Sequence, residues 1–436
     1  MALLWVLSCA TSLAPSFMAP SNQCNNCSFV TVQQEFHIQR YFIDPGELTA
    51  SSYYFGNFVF GQILATLADR IGRRPVLIFS LFLSGIVGTA AAFVPEFNYL
   101  LLARFIQGST LTSLSMTNWI MCCESISFNG HGYASVLFGV LWVFGYCIVS
   151  PISYYLPTWR QLQLFTSLPS LLFGIFLYFT LPESLAFTVQ SGRTEKVRQW
   201  IENATKFSGS DVDYDLSTLM EKREKNEQSF LATIREILKN REIVRNTAIE
   251  LVVWVVDLMI YAALSLCSTS MFGNQNAHFS YLISGLVELP SYFILPAALD
   301  WLGRKPTTMA SHVIAAFALA AMFLFDREKD FQIFIIVWLI AKFSIACAFM
   351  CCFVFGAELF PTHCRNICLG LCATVSNLGA MAGPHTFALE NYQQGATFVF
   401  FAILAAVTTF LVAFLPETKP CDESSEDAMR ISHISI

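Results

Sequence analysis

Apolar runs close to 20 residues long recur along almost the whole chain, parted by turns of a few residues, and this alternation leaves few folds open. A helix of about 20 apolar residues crosses the hydrocarbon of a bilayer, whereas barrel strands need about 10 and alternate in polarity. These runs do not alternate. Only 13% of residues are charged, against about 25% in soluble domains. The chain therefore reads as an all-α membrane protein with twelve expected spans. The first, Ala2–Ala19, lacks the charged start and clean cleavage site of a secretory leader and reads as a membrane helix. The formal net charge of −6 and the pI near 5.7 lend no support to a nucleic-acid partner. Most cysteines fall inside apolar runs, and Cys24-x-x-Cys27 has no second pair at zinc spacing. No metal or cofactor is expected, and without a Gly-x-x-x-x-Gly-Lys loop there is no sign of direct ATP drive. The chain does not read as an enzyme.

The charged turns set the topology. GQILATLADRIGRRP at 61–75 runs from an apolar helix into Asp69 and Arg70, turns at Gly72, and meets Arg73 and Arg74 before the next apolar run. Guanidinium groups are costly in hydrocarbon, and short Lys/Arg-rich loops stay cytoplasmic. With this turn, its counterpart DWLGRKP at 300–306 and the polar stretch 183–244 placed inside, 19 Lys and Arg lie inside, 4 outside and 2 within spans. That arrangement puts both termini in the cytoplasm. The loop 21–48 is then external, where Asn26-Cys27-Ser28 forms a glycosylation acceptor. Cys24 and Cys27 are either a short disulfide or two thiols.

The halves repeat. Asp69 and Asp300 are 231 residues apart, while Glu124 and Glu358, and PES at 182–184 and PET at 416–418, are each 234 apart. Parallel repeats of this kind are the organisation of secondary transporters. The expected domains are a six-helix bundle over 1–182, a cytoplasmic linker with helices over 183–244, a second bundle over 245–419 and an acidic, disordered cytoplasmic tail over 420–436. The terminal Ile434-Ser435-Ile436 weakly matches a PDZ-type ligand.

Across nearly the whole chain the motifs resemble the major facilitator superfamily and, within it, the organic cation/anion/carnitine transporters. The residues that carry this are TVQQEF (31–36), GQILATLADRIGRRP, RFIQG (104–108), LPTWRQLQLFTSLPS (156–170), LPES, VELP (287–290), AKFSIACAF (341–349), AELFPTHCRN (357–366) and LPETK. The resemblance implies two pseudo-symmetric six-helix bundles in the plasma membrane. It also implies alternating access to a small organic ion, with a cation or zwitterion favoured. A sugar-type porter and a non-transporting receptor or scaffold are the alternatives. PESLAF has Ala186 where the family often has Arg, and SISFNGHGY lacks the usual basic residue, which weakens the expected ion network.

Charges at the turns form the expected gate: Asp69, Arg73, Arg74 and Glu124 in the first half, and Asp300, Arg304, Lys305, Glu358 and Arg365 in the second. The plainer reading is a positive-inside anchor. Within the spans, an ionisable group marks a functional site by default because it costs roughly 2.5–3.5 kcal/mol to insert. Asp257 in Trp254-x-x-Asp257-x-x-x-Tyr261 shares a helix face with both aromatics, as a cation site would. The alternative is an internal pair with a base such as Lys342. Glu288 and Lys342 read equally as a structural pair or as ligand contacts. Arg104 reads as architecture between helices. The family resemblance implies that Asn377 occupies a charge-selecting position, here neutral. Trp142 is a cavity candidate. His312 and His385 read as proton relays or, more simply, as packing residues.

Overall fold

The computed structural model describes residues 1–18, 30–38, 45–126, 131–156, 158–192, 194–208, 230–270, 277–325 and 329–418. Asn26, Cys24, Cys27, the middle of the linker and the tail with Ile434–Ile436 lie outside them. The described residues are helical, with one isolated bridge between Val30 and Thr158.

Two bundles of six spanning segments follow one another. The first comprises α1 (Leu3–Leu13) with α2 (Pro15–Met18), α4 (Pro45–Ile71), α5 (Arg73–Ala91), α6 (Phe97–Gly108) with α7 (Asn118–Cys123), α8 (His131–Tyr155) and α9 (Trp159–Thr180). A single turn, α3 (Val32–Glu35), precedes α4. Between the bundles lie α10 (Leu185–Gln190), α11 (Thr194–Ser208) and α12 (Phe230–Lys239). The second bundle comprises α13 (Arg241–Leu266), α14 (Ala277–Leu286) with α15 (Leu289–Leu302), α16 (Arg304–Met322), α17 (Phe331–Leu359), α18 (Thr362–His385) and α19 (Ala396–Val412). Among the described residues, seven helical segments are long and apolar enough to cross a bilayer unaided. The first segment is split at Ala14 and the fourth by a π-turn at Ser113–Thr117, while α4 carries Glu47, Asp69 and Arg70 near its ends.

Small residues let the helices close up. A Cβ at Gly56 would collide with the Phe105 carbonyl, and one at Gly108 with the Tyr53 carbonyl, so α4 and α6 touch backbone to backbone. Without water, close van der Waals packing and polar ties hold membrane helices together. Arg104 is fully buried, donates to the Thr11 carbonyl (3.1 Å) and Gln107 (3.0 Å), and lies 4.6 Å from the Tyr53 ring. It joins three spans, the architectural role expected of it. Large apolar side chains such as Phe79, Phe179, Phe317 and Ile336 point outward, as a lipid-facing belt requires.

Pro290 breaks the eighth span. It has no N–H to donate to the carbonyl of Leu286, four residues back, and its ring crowds that carbonyl, and α14 ends at Leu286. Glu288 thus stands at the N-terminus of α15 inside the protein, 1% exposed, with its side chain turned to other partners instead of capping the helix. A helix N-terminus favours an anion there.

Candidate functional site

At the end of the bundles that carries the turns, each half builds the same arrangement. Gly72 and Gly303 start α5 and α16 at φ of 122° and 100°, conformations that disfavour a Cβ. That bend aims the first helical N–H groups at a carboxylate from the far end of the same half. Glu183 Oε1 accepts from the backbone N–H of Arg73 and of Arg74, both at 3.1 Å. Glu417 accepts from those of Arg304 (3.0 Å) and Lys305 (3.1 Å). The guanidiniums then reach the fourth span of each half. Arg73 pairs with Glu124 at 2.9 Å and with Asp69 at 3.6 Å. Arg304 grips both Glu358 oxygens at 2.9 Å and lies 3.9 Å from Asp300. Ser184 bonds Glu124, and Thr418 bonds Glu358 at 2.7 Å. Arg74 donates to the Tyr178 carbonyl and Lys305 to the Ala413 carbonyl. Arg365 donates to the Phe360 carbonyl instead of joining the set.

Glu183 and Glu417 were readable only as parts of PES and PET motifs; their capping role needs the fold. With Ala186 in place the first network still forms through Glu124, Asp69 and Glu183, and the neighbouring Phe187 ring packs 5.3 Å from the Arg73 guanidinium.

Between the two bundles lies a buried chain of polar groups. Trp142 Nε1 on α8 donates to the Tyr261 hydroxyl on α13 at 2.9 Å, and that hydroxyl donates to Glu288 Oε2 at 3.0 Å. Lys342 Nζ lies 2.8 Å from Glu288 Oε1 and bonds Ser265. The same ammonium sits 3.9 Å from the centre of the Tyr261 ring and 5.5 Å from that of Tyr146. Aromatic faces attract cations, more strongly where water is excluded. Lys342 thus occupies a cage of one carboxylate and two aromatic rings.

Two interfaces continue outward from this junction. Along α4 and α18, Asn57 donates to Asn377 at 2.9 Å, and His385 bridges Ser51 (2.7 Å) and Glu47 (2.9 Å). Along α8 and α14, Ser153 meets His278 Nδ1 at 3.1 Å and Ser150 bonds the His278 carbonyl at 2.9 Å. His385, expected to relay protons or pack, ties the halves together. Asn377 is 2% exposed and also donates to the Ala373 and Thr374 carbonyls of its own helix.

Asp257 lies elsewhere. Four residues advance a helix by about 6 Å, enough for Asp257 and Tyr261 to meet different neighbours. Asp257 is fully buried inside the second half, where Oδ1 meets His312 Nε2 at 2.8 Å and Oδ2 accepts from Cys352 Sγ at 3.1 Å. Both its oxygens are engaged, and its base is His312 rather than Lys342. Trp254 donates to Glu250 at 3.1 Å and packs edge-on to Phe353, within the core of that half. Of the WxxDxxxY set, Tyr261 alone joins the junction between halves.

Replacing Trp142 by Phe removes one bond between halves. A net hydrogen bond is worth about 1 kcal/mol, so the balance between open and closed states should shift about fivefold. Faster amide hydrogen exchange in α8 and α13 is the expected signature; unchanged exchange would show that the bond does not hold the halves.

A family model described as sugar (and other) transporter matches residues 16–422. A Caenorhabditis elegans protein described as a presumed transporter is 32% identical over 95% of this chain and 84% of its own length. The organic cation transporter protein of Drosophila melanogaster is 28% identical over 85% and 68%, and organic anion transporter 3 of Sus scrofa is 29% identical over 87% and 71%. Among solved structures, the partially occluded inward-open xylose transporter XylE of E. coli superposes with a TM-score of 0.68 at 17% identity, covering 96% of this chain and 98% of that one. With a family model matched over nearly its whole length and the same two-bundle fold, the chain is a multi-pass membrane protein that belongs to the sugar and other transporters of the major facilitator superfamily.

Proposed function

We propose that this protein carries small organic cations across the plasma membrane by alternating access, with the substrate bound around Glu288, Tyr261 and Trp142. The observation that carries the reading is the ammonium of Lys342 held between Glu288 and the Tyr261 ring. A site that stabilises one buried ammonium has the chemistry to stabilise another. The substrate displaces Lys342 from Glu288, and Asn377 borders the path without supplying charge, whereas Trp254 packs inside the second half and is left out of the site. Asp257, with both oxygens engaged inside the second half, is left out of the cation site. The names of several relatives, organic cation transporters among them, support this class over sugars. An anion would need an uncompensated positive charge, whereas Lys342 already has a carboxylate partner.

In this reading the Gly72 and Gly303 turns, the linker and both termini are cytoplasmic, and the bundles divide near 182 and 245. The Arg73–Glu124 and Arg304–Glu358 networks brace each half at the cytoplasmic gate, while the outer ties, Asn57–Asn377 and Glu47–His385, break when the halves rock apart. Asn26 would carry glycan outside.

Uptake of labelled tetraethylammonium into cells expressing the protein, beside mock cells and with surface levels matched, tests the reading. Saturable uptake above mock is expected. Entry of hexoses or organic carboxylates with none of the cation would replace it.

A further inference from the structure

We propose that Asp257, His312 and Glu250 form a proton-binding site inside the second bundle, and that proton movement through it is coupled to substrate transport. The inference extends the cation-carrier reading. It rests on hydrogen-bond accounting. His312 Nδ1 faces the Thr308 carbonyl oxygen at 2.8 Å. A carbonyl can only accept, so Nδ1 carries a hydrogen. Nε2 faces Asp257 Oδ1 at 2.8 Å, and Oδ2 accepts from the Cys352 thiol. An ionised carboxylate and a bare imidazole nitrogen would face each other as two acceptors, so one further proton lies between them. Whichever atom holds it, the observed geometry requires it.

Release of that proton would leave Asp257 ionised with no cation, in a site where both partners are 0% exposed. The second carboxylate, Glu250, is 1% exposed, bonded by Trp254, and two turns along the same face of α13 towards the Gly72/Gly303 end. Two ionised carboxylates and one neutral imidazole sum to two negative charges, so the set becomes neutral by binding two protons, one shared by Asp257 and His312 and one on Glu250. Glu250 provides the next station towards that end. Among the described residues, the other titratable groups facing the set are thiols: Cys351 and Cys352 on α17 and Cys372 on α18. α19 carries no titratable side chain.

The coupling runs through α13. The His312 bond ties it to α16, and one turn further on Tyr261 makes the bonds to Trp142 and Glu288. Losing the shared proton frees α13 from α16, and any shift of α13 moves Tyr261.

The test uses the full-length protein in liposomes with tetraethylammonium, whose charge does not change with pH. One pH unit is worth about 1.4 kcal/mol, or tenfold. With one proton coupled per cycle, a one-unit gradient is expected to change steady-state accumulation about tenfold, upward in one polarity and downward in the other. His312→Gln should abolish that response while tetraethylammonium counterflow, which needs no net proton movement, persists. A wild-type protein with counterflow but no response to either gradient would overturn the inference. Absence of counterflow would instead count against the cation reading. A second readout does not depend on substrate: the Trp254 share of the fluorescence, taken as wild type minus Trp254→Phe, should titrate with pH and shift in the His312→Gln background. A flat Trp254 signal between pH 5 and 9 would also overturn it.

Discussion

Glu288→Gln is expected to reduce tetraethylammonium uptake at least ~100-fold and to destabilise the protein at the same time. The loss corresponds to about 2.7 kcal/mol, within what a buried charge pair commands. Lys342 is fully buried, and Glu288 is its carboxylate partner at 2.8 Å. Breaking such a pair from one side costs about 3–5 kcal/mol, because the surviving charge stays uncompensated. Glutamine keeps the acceptor for the Tyr261 hydroxyl but removes the charge, so the fall in stability reports on Lys342. Adding Lys342→Met removes the stranded ammonium, and replacing both members of a buried pair by neutral groups is often close to neutral. The double variant should regain most of its melting temperature in detergent and none of its uptake. Uptake that survives in Glu288→Gln at matched surface level would move the cation site elsewhere. Uptake that returns with stability in the double variant would make the pair a purely structural one.

The architecture was legible in the sequence because a bilayer permits few answers. Run length and the repeated Gly-Arg turn point to helices and a two-half organisation. Glu288 and Lys342 were legible as a buried pair because uncompensated charge has no place at that depth. Which carboxylate meets which base was not legible. Asp257 and Lys342 looked as plausible a pair as Glu288 and Lys342, and the choice depends on which way α13 faces its neighbours, a rotation that periodicity in an almost wholly apolar helix leaves open. α13 is buried on every side over Ile260–Leu266, and its exposed positions within the apolar stretch, Ala248 and Val252, are themselves apolar, so no polar face marks the outside of that stretch. His312 was unassigned for the same reason: its partner is 55 residues away and appears only when α16 packs against α13.

The two turn networks share a sequence pattern but differ in energy, and paired substitutions should expose the difference. Glu183 is partly buried and holds two helix N-terminal N–H groups beside Arg73, which is 8% exposed. Glu183→Ala leaves those donors without the carboxylate and removes an anion from a helix N-terminus, together about 2–3 kcal/mol. It also deprives the Gly72 turn of the group against which it is folded. Glu417 makes the matching bonds, but it is solvent-exposed, and water can replace it there. Glu417→Ala should therefore cost about 1 kcal/mol or less. In detergent, the melting temperature should fall several degrees further for Glu183→Ala than for Glu417→Ala, and surface expression should follow the same order. Equal losses would mean that the turn geometry, which the halves share, outweighs burial, which they do not. The expected inequality has a functional consequence. On the proposed cation-carrier reading, a first half more rigidly braced at its turn leaves the second as the half whose helices shift most easily, and Lys342, Glu288 and Tyr261 all belong to that second half.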